Sequence, residues 1–306
     1  MTRGPTWRAL RDHAELALRR AQIPRPEREA SWMVERVSGY DAAELVAHGG
    51  ERATDRAATH VDEMLVRRSA GEPLQYVLGE WSFRALELLV DRRVLIPRPE
   101  TEVVAECAID EMVRLGARRT RSTWPGPTSF TLADLGTGSG ALALALASEL
   151  PQAEIWATDV DDDALAVARA NLAGAGSVGA RVRLALGSWF DALPGSLCGA
   201  LHLVVSNPPY VAESELDDLP PEVRDFEPRG ALCSGPTGLE AIQVVVAGSA
   251  RWLAPGGAVV CELAPHQAGD ALDLARAAGF SDVTVRMDFS GRDRVLIARR
   301  EVRDRG

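Results

Sequence analysis

Residues 206–211 read Ser-Asn-Pro-Pro-Tyr-Val and follow the largely apolar run Leu-His-Leu-Val-Val. Proline donates no hydrogen bond, so a buried strand ending at residue 206 has to stop there. The turn residues themselves carry chemistry. Asn207 offers a side-chain oxygen that accepts and a nitrogen that donates. Pro208 has a carbonyl and no N–H. Together they present two acceptors to one planar NH₂ group, and Tyr210 supplies an aromatic wall for a flat group to lie against. An amide or aryl-amine nitrogen is a poor nucleophile because its lone pair is delocalised. Accepting both of its N–H bonds fixes the nitrogen and stabilises the positive charge that grows as it takes a methyl group. The residue types therefore point to Asn207, Pro208 and Tyr210 as the catalytic set and as the grip on a planar NH₂ substrate.

A second constellation lies upstream. Leu-Ala-Asp-Leu-Gly-Thr-Gly-Ser-Gly-Ala, residues 132–141, places a glycine-rich turn between a strand and a helix. Gly136, Gly138 and Gly140 let backbone approach a ligand closely, and Thr137 and Ser139 complete the loop. Asp159 closes the next strand, where a carboxylate can accept from both hydroxyls of a ribose. Dinucleotide binding is the first rival, with Ala141 in place of the third glycine of its fingerprint. Asp134 before a tight turn favours instead a ligand with an amino-acid tail, whose ammonium welcomes a nearby acid. With the Asn-Pro-Pro-Tyr turn, the expected cofactor is S-adenosylmethionine.

These residues need a scaffold. From residue 130 the chain alternates strand and helix, which implies a doubly wound, mostly parallel α/β sheet with helices on both faces. The segments Val-Thr-Val-Arg-Met-Asp and Arg-Val-Leu-Ile-Ala-Arg-Arg predict an antiparallel hairpin near the C-terminal end. Ligands in such sheets bind at the carboxyl ends of the strands, near the switch point, which brings residue 207 beside the glycine loop. Residues 71–102 predict a β-hairpin, and Glu100 starts a helix running to about Gly116. Residues 120–129 predict a loop. Residues 5–70 predict a small helical bundle: apolar residues recur at Leu10, Ala14, Ala17 and Leu18, at Ala30, Met33, Val34 and Val37, and at Val61, Met64 and Leu65. Pro26 opens the second helix and Asp41 caps the next.

Composition narrows the function classes. The 306 residues are 46% hydrophobic and 25% charged, ordinary for a soluble protein. The net charge of −10 argues against nucleic acid as the main partner. Every basic residue is Arg, so no lysine nucleophile is available. Cys107, Cys198, Cys233 and Cys261 form no CxxC pair, so a disulfide framework or a metal site is not expected. No leader-like apolar segment opens the chain and no run approaches a membrane span, so a cytoplasmic protein with no membrane partner is expected.

Taken with the motifs above, Gly-Glu-Pro-Leu-Gln-Tyr-Val-Leu-Gly-Glu-Trp-Ser-Phe (71–83), Val-Leu-Ile-Pro-Arg-Pro-Glu-Thr-Glu (94–102), Gly-Ser-Trp-Phe (187–190) and Phe-Glu-Pro-Arg-Gly-Ala-Leu (226–232) carry a resemblance. The chain resembles the protein-(glutamine-N5) methyltransferases that modify peptide-chain release factors, the PrmC/HemK type, over about residues 71–300. The resemblance implies a Rossmann-like class I methyltransferase sheet. It implies methyl transfer from S-adenosylmethionine to the glutamine of the Gly-Gly-Gln motif of class 1 release factors; a monomer is expected. It carries Gly136 through Gly140 and Asp159 to the cofactor, with Trp189 near the adenine, Asn207 touching both cofactor and glutamine, and Pro208, Pro209 and Tyr210 shaping the glutamine site. The domains then read as a helical substrate-docking domain (1–75), a β-hairpin linker (76–99) and a methyltransferase domain (100–306).

Other residues receive lesser roles. Arg98, Glu100 and Thr101 line the pocket mouth or form a structural salt bridge. Glu227 and Arg229 buttress the clamp loop, Trp81 and Trp252 pack, and His266 starts a helix. The chain departs from the family pattern at His202, where an acid is usual, and in the wording of Glu-Leu-Ala-Pro-His-Gln (262–267), which is given no role. Three rival functions use similar residues: an adenine-N6 methyltransferase of DNA or RNA, a glutamine methyltransferase of a ribosomal protein, and a non-catalytic S-adenosylmethionine sensor. A sensor has no use for the NH₂ clamp.

Overall fold

A computed structural model describes residues 4–120 and 129–302. The chain divides into two compact units, Met1–Glu80 with Pro220–Phe226, and Trp81–Leu219 with Glu227–Gly306.

The first unit is built on helices α1 (Trp7–Arg20), α2 (Pro26–Ser38), α3 (Ala42–His48), α4 (Asp55–Ser69) and α5 (Leu74–Leu78). The apolar positions at helical spacing become its core: Leu10, Ala14, Leu18, Met33, Val34, Val61 and Met64 are buried. Local signals start these helices where the sequence predicts. Pro26 opens α2, and Asp41 caps α3 in a box with Glu44 that satisfies donors in both directions. Arg68 closes the unit with a two-pronged ion pair to Glu29, at 2.8 and 3.1 Å. Both side chains are buried, so removing Arg68 alone strands the Glu29 charge.

The second unit opens with strands β1 (Glu80–Phe83) and β2 (Leu86–Leu89), a two-stranded hairpin. The hairpin expected over 71–102 is thus shorter, because Leu74–Leu78 coil into α5. Helix α6 (Pro99–Thr120) runs past Gly116, where the sequence predicts its end. The expected loop lies outside the described residues from 121 to 128. Then follow β3 (Phe130–Leu135), α7 (Ala141–Glu149), β4 (Ala153–Asp159), α8 (Asp162–Gly174), β5 (Val182–Leu186), β6 (Leu201–Ser206) and β7 (Val211–Ala212). A short helix α9 (Pro221–Arg224) belongs to the first unit. The chain returns with α10 (Arg229–Leu232), β8 (Cys233–Gly235), α11 (Glu240–Trp252), β9 (Leu253–Glu262), α12 (Ala268–Ala277), β10 (Asp282–Met287) and β11 (Asp293–Arg299).

Seven strands form one sheet in the order β10-β11-β9-β6-β3-β4-β5. The β9-β6-β3-β4-β5 pairs are parallel, and β11 pairs antiparallel with both β9 and β10. The doubly wound sheet with a C-terminal hairpin is therefore present. Its inner strands are sealed on both faces, while the edge strands β10 and β5 are partly exposed. Alternate residues of β11 face two separate cores, Val295 and Ile297 toward α6 and α7, Leu296 and Ala298 toward α11 and α12. All of β6 is buried, which is why it reads as a continuous run rather than as alternation. Helix α7 is apolar all round, and Ala141 through Ala147 are all buried.

Candidate functional site

The parallel order places β3 between β4 and β6, so the turns after these strands meet at one sheet end. Ser206 ties the neighbouring strand ends together, its hydroxyl donating to the Leu135 carbonyl at 2.6 Å. Beyond them lies a cavity of about 300 Å³. Its lining includes Gly136, Thr137, Gly138, Ser139, Asp159, Trp189, Asn207 and Pro209, so most of the sequence-predicted site is brought to one wall. Gly140, Pro208 and Tyr210 are not among the lining residues. Pro208 is buried behind the turn, and Gly140 caps α7 with φ +82°.

The loop after β3 is over-determined. Gly136 and Thr137 both donate from backbone to the Thr158 carbonyl at 2.9 Å. Gly138 donates to Asp159 Oδ2 at 2.9 Å, and Asp161 donates to Asp159 Oδ1 at 3.0 Å. A β-carbon on Gly138 (φ +56°) would meet nothing within 4 Å, so open space lies over this residue. Trp189 packs its ring over Gly136. Burial raises the Asp159 carboxyl above its ordinary range, against the lowering pull of the backbone donors.

Asp134 does not line the cavity. It is fully buried, and Oδ2 accepts from the Thr137 hydroxyl at 2.6 Å and the Ala143 N–H at 3.1 Å. It is thus the pin under the loop rather than a wall of the site. Oδ1 is buried and finds no hydrogen-bond partner among the described residues. Burial pushes this carboxyl up to about 7. The folded state then holds a proton over a window, from about pH 4 to 7, in which an unfolded chain has released it. Wild-type stability therefore falls as pH rises through that window. We expect Asp134→Asn to gain on wild type over the same window, by at most about 1.4 kcal/mol per pH unit. Urea unfolding of both proteins between pH 5 and 7.5 measures it, and a constant difference would refute the assignment.

Residues named from sequence, Thr101 among them, and two that were not, Glu262 and Gln267, complete the site. The Asn207 amide donates through Nδ2 to Thr101 Oγ1 at 3.1 Å, while Oδ1 is buried and unpartnered among the described residues. Thr101 donates to Glu262 Oε2 at 2.7 Å. The Tyr210 hydroxyl faces Glu262 Oε1 at 3.5 Å. Gln267 Nε2 donates to the carbonyls of Tyr210, at 2.9 Å, and Gly238, at 3.1 Å, which holds the far side of the clamp turn. Arg98 pairs with Glu227 at 2.5 Å, and the residues after Glu227, namely Pro228, Gly230 and Ala231, line the cavity. Arg229 is exposed, and His266 sits in the turn leading into α12. The segment 262–267, given no role from sequence, thus supplies two of the supports. Among the described residues no cluster of three or more metal-ligating side chains occurs, and no helix is long and apolar enough to cross a membrane.

Sequence comparison adds two family models: the PrmC N-terminal domain over residues 9–79 and the Methyltransferase small domain over residues 112–219. Curated relatives include a release factor glutamine methyltransferase of Deinococcus radiodurans, 38% identical over 293 residues, covering 96% of this chain and 98% of the relative. Another, of the same description, from Moorella thermoacetica, is 39% identical and covers 91% and 93%. Among solved structures, the human METTL16 N-terminal domain in complex with SAH superposes with a TM-score of 0.51 at 15% identity, covering 87% of this chain and 90% of that one. The hMettl16 catalytic domain in complex with MAT2A 3'UTR hairpin 1 gives 0.56 at 16% identity, covering 89% and 92%. At that identity the likeness is one of fold.

Proposed function

The chain belongs to the release factor glutamine methyltransferases, and from that premise we propose that it methylates the side-chain amide nitrogen of the glutamine in the Gly-Gly-Gln motif of class 1 release factors. It is a methyltransferase that uses S-adenosylmethionine. The observation that carries the finer reading is the orphaned Oδ1 of Asn207, a buried acceptor at the wall of the cavity that also holds the glycine loop and Asp159. A buried acceptor costs free energy unless a donor reaches it, and a carboxamide N–H is such a donor.

The residues present fit the cofactor. Asp159 would meet a ribose, the open backbone over Gly138 would admit an amino-acid tail, and Trp189 would wall a flat base. When bound, S-adenosylmethionine supplies an activated methyl carbon. The chain supplies position. Asn207 Oδ1 accepts one N–H of the glutamine carboxamide and the Pro208 carbonyl accepts the other, while Pro209 and Tyr210 shape the space around it. This grip holds the nitrogen and stabilises the charge that develops on it. Alignment of this kind is worth up to about 7–11 kcal/mol. No strong base is required, because the methylated nitrogen is acidic and its proton leaves to water. The helical domain over residues 1–75 docks the release factor, and the enzyme works as a monomer in the cytoplasm.

Incubation with labelled S-adenosylmethionine tests this reading. A release factor should take up label, while its Gln→Ala variant and adenine-containing nucleic acid should not. Label in the nucleic acid alone would assign an adenine-N6 methyltransferase, and label in none would leave a binding protein.

A further inference from the structure

The Asn207 side chain has two ends of nearly the same shape and opposite hydrogen-bonding sense. Only the oxygen can receive a carboxamide N–H, so the clamp works in one of two orientations. The neighbours select it. We propose that Thr101 and Glu262 are positioning residues that hold the Asn207 nitrogen away from the substrate and so leave its oxygen to the glutamine.

The selection follows from who can donate. An ionised carboxylate only accepts, so Glu262 Oε2 takes the Thr101 hydroxyl proton, at 2.7 Å. With its proton committed, Thr101 Oγ1 has only lone pairs to offer, and it accepts from Asn207 Nδ2 at 3.1 Å. The amide oxygen is left buried and free of protein donors among the described residues. Thr101 itself lines the cavity, so the relay begins at the wall of the site. Its three members come from α6, the end of β6 and the end of β9. Thr101 and Glu262 are 161 residues apart. Both are buried, at 3% and 1% exposure, which removes water as a competing donor.

Loss of the Glu262 charge reverses the logic. A protonated carboxyl can donate to Thr101, whose own proton is then free to occupy Asn207 Oδ1. Burial pushes this carboxyl up to about 7. The groups that face it are Tyr210 after β6, Glu100 on α6, Cys261 on β9 and Arg294 on β11. Arg294 is already engaged with the Leu263 carbonyl and with Asp288.

The inference rests on the acceptor role given to Asn207, and the test separates the two. The turnover number, the KM for release factor and the Kd for S-adenosylmethionine are measured for wild type, Thr101→Val, Thr101→Ser and Glu262→Met. Thr101→Val and Glu262→Met should each lose about 30- to 100-fold in kcat, with KM and Kd within about threefold. Thr101→Ser should stay within about threefold of wild type, and the Val/Met double variant should be no worse than either single change, since both break one chain. Wild-type kcat should fall as pH drops through 7, and Glu262→Met should lack that limb. Glu262→Met keeps the side-chain length and removes a buried charge, so it decides the matter even where Thr101→Val unfolds. A Glu262→Met enzyme within threefold of wild type, or one that loses cofactor affinity in place of rate, overturns the relay and leaves the proposed function standing. A wild-type protein that transfers no label to release factor overturns both.

Discussion

Asn207→Ala should lower kcat about a thousandfold while the Kd for S-adenosylmethionine changes by less than about tenfold. The asymmetry comes from where the residue acts. The glycine loop is fixed without Asn207, by the Thr158 carbonyl, by Asp159 and by Asp134. Removing the amide therefore leaves the cofactor wall in place. It deletes one of two acceptors for the substrate nitrogen, and with it a hydrogen bond that strengthens as charge develops during transfer. It also releases Thr101, whose lone pairs lose their donor. Single-turnover rates with release factor, set beside equilibrium cofactor binding, report the two quantities separately. An alanine variant that keeps the wild-type rate would remove Asn207 from the chemistry.

Gly238→Ala should cost about a hundredfold in kcat although the residue is absent from the cavity wall. Gly238 has φ +79°, a region that costs an L-residue about 1–2 kcal/mol. Space is the larger problem. An added β-carbon would lie 2.6 Å from the Tyr210 carbonyl oxygen, 2.8 Å from Gln267 Nε2 and 3.1 Å from the Ala212 nitrogen. Two of these three are backbone atoms and cannot swing away. The third belongs to the side chain that holds the Tyr210 carbonyl. The methyl group therefore pushes on the Asn-Pro-Pro-Tyr turn from behind. The cofactor loop, built on β3 and β4, is untouched, so cofactor affinity should hold within about threefold, measured below the melting temperature of the variant. Loss of cofactor binding and rate together would mean that the damage spreads beyond the turn.

How far the sequence reveals this molecule depends on the range of each signal. Helix α7 and strand β6 are legible because burial on every side leaves a nearly continuous apolar run, broken in β6 by His202. The turns at 136–140 and 207–210 are legible because glycine and proline constrain the backbone within a few residues. Both therefore lead to the cavity wall. The supports behind that wall are another matter. Thr101 is legible as a pocket-mouth residue, but its hydrogen-bonding role is not; Glu262 and Gln267 look like ordinary polar residues in their own segments, and all three roles exist only once α6, β6 and β9 are packed together. Asp134 shows the reverse error of range. Its place just before the loop suggested contact with a ligand's ammonium, while its carboxylate turns inward to brace Thr137 and α7. The α5 turn inside the expected hairpin stretch has a similar cause, since Leu74, Tyr76 and Val77 suit strand or helix and their burial settles the matter.

Strand β11 is the final strand of the described chain, yet it lies inside the sheet, between β10 and β9. Its Val295 sits directly across from Glu262. During synthesis the acid that orients the clamp therefore waits on residues made some thirty positions later. A nascent polypeptide halted before residue 293 leaves β9 with an open edge and that carboxylate beside it. Competence is thereby withheld until β11 itself has been made, and a product terminated before it has no assembled grip with which to engage its target.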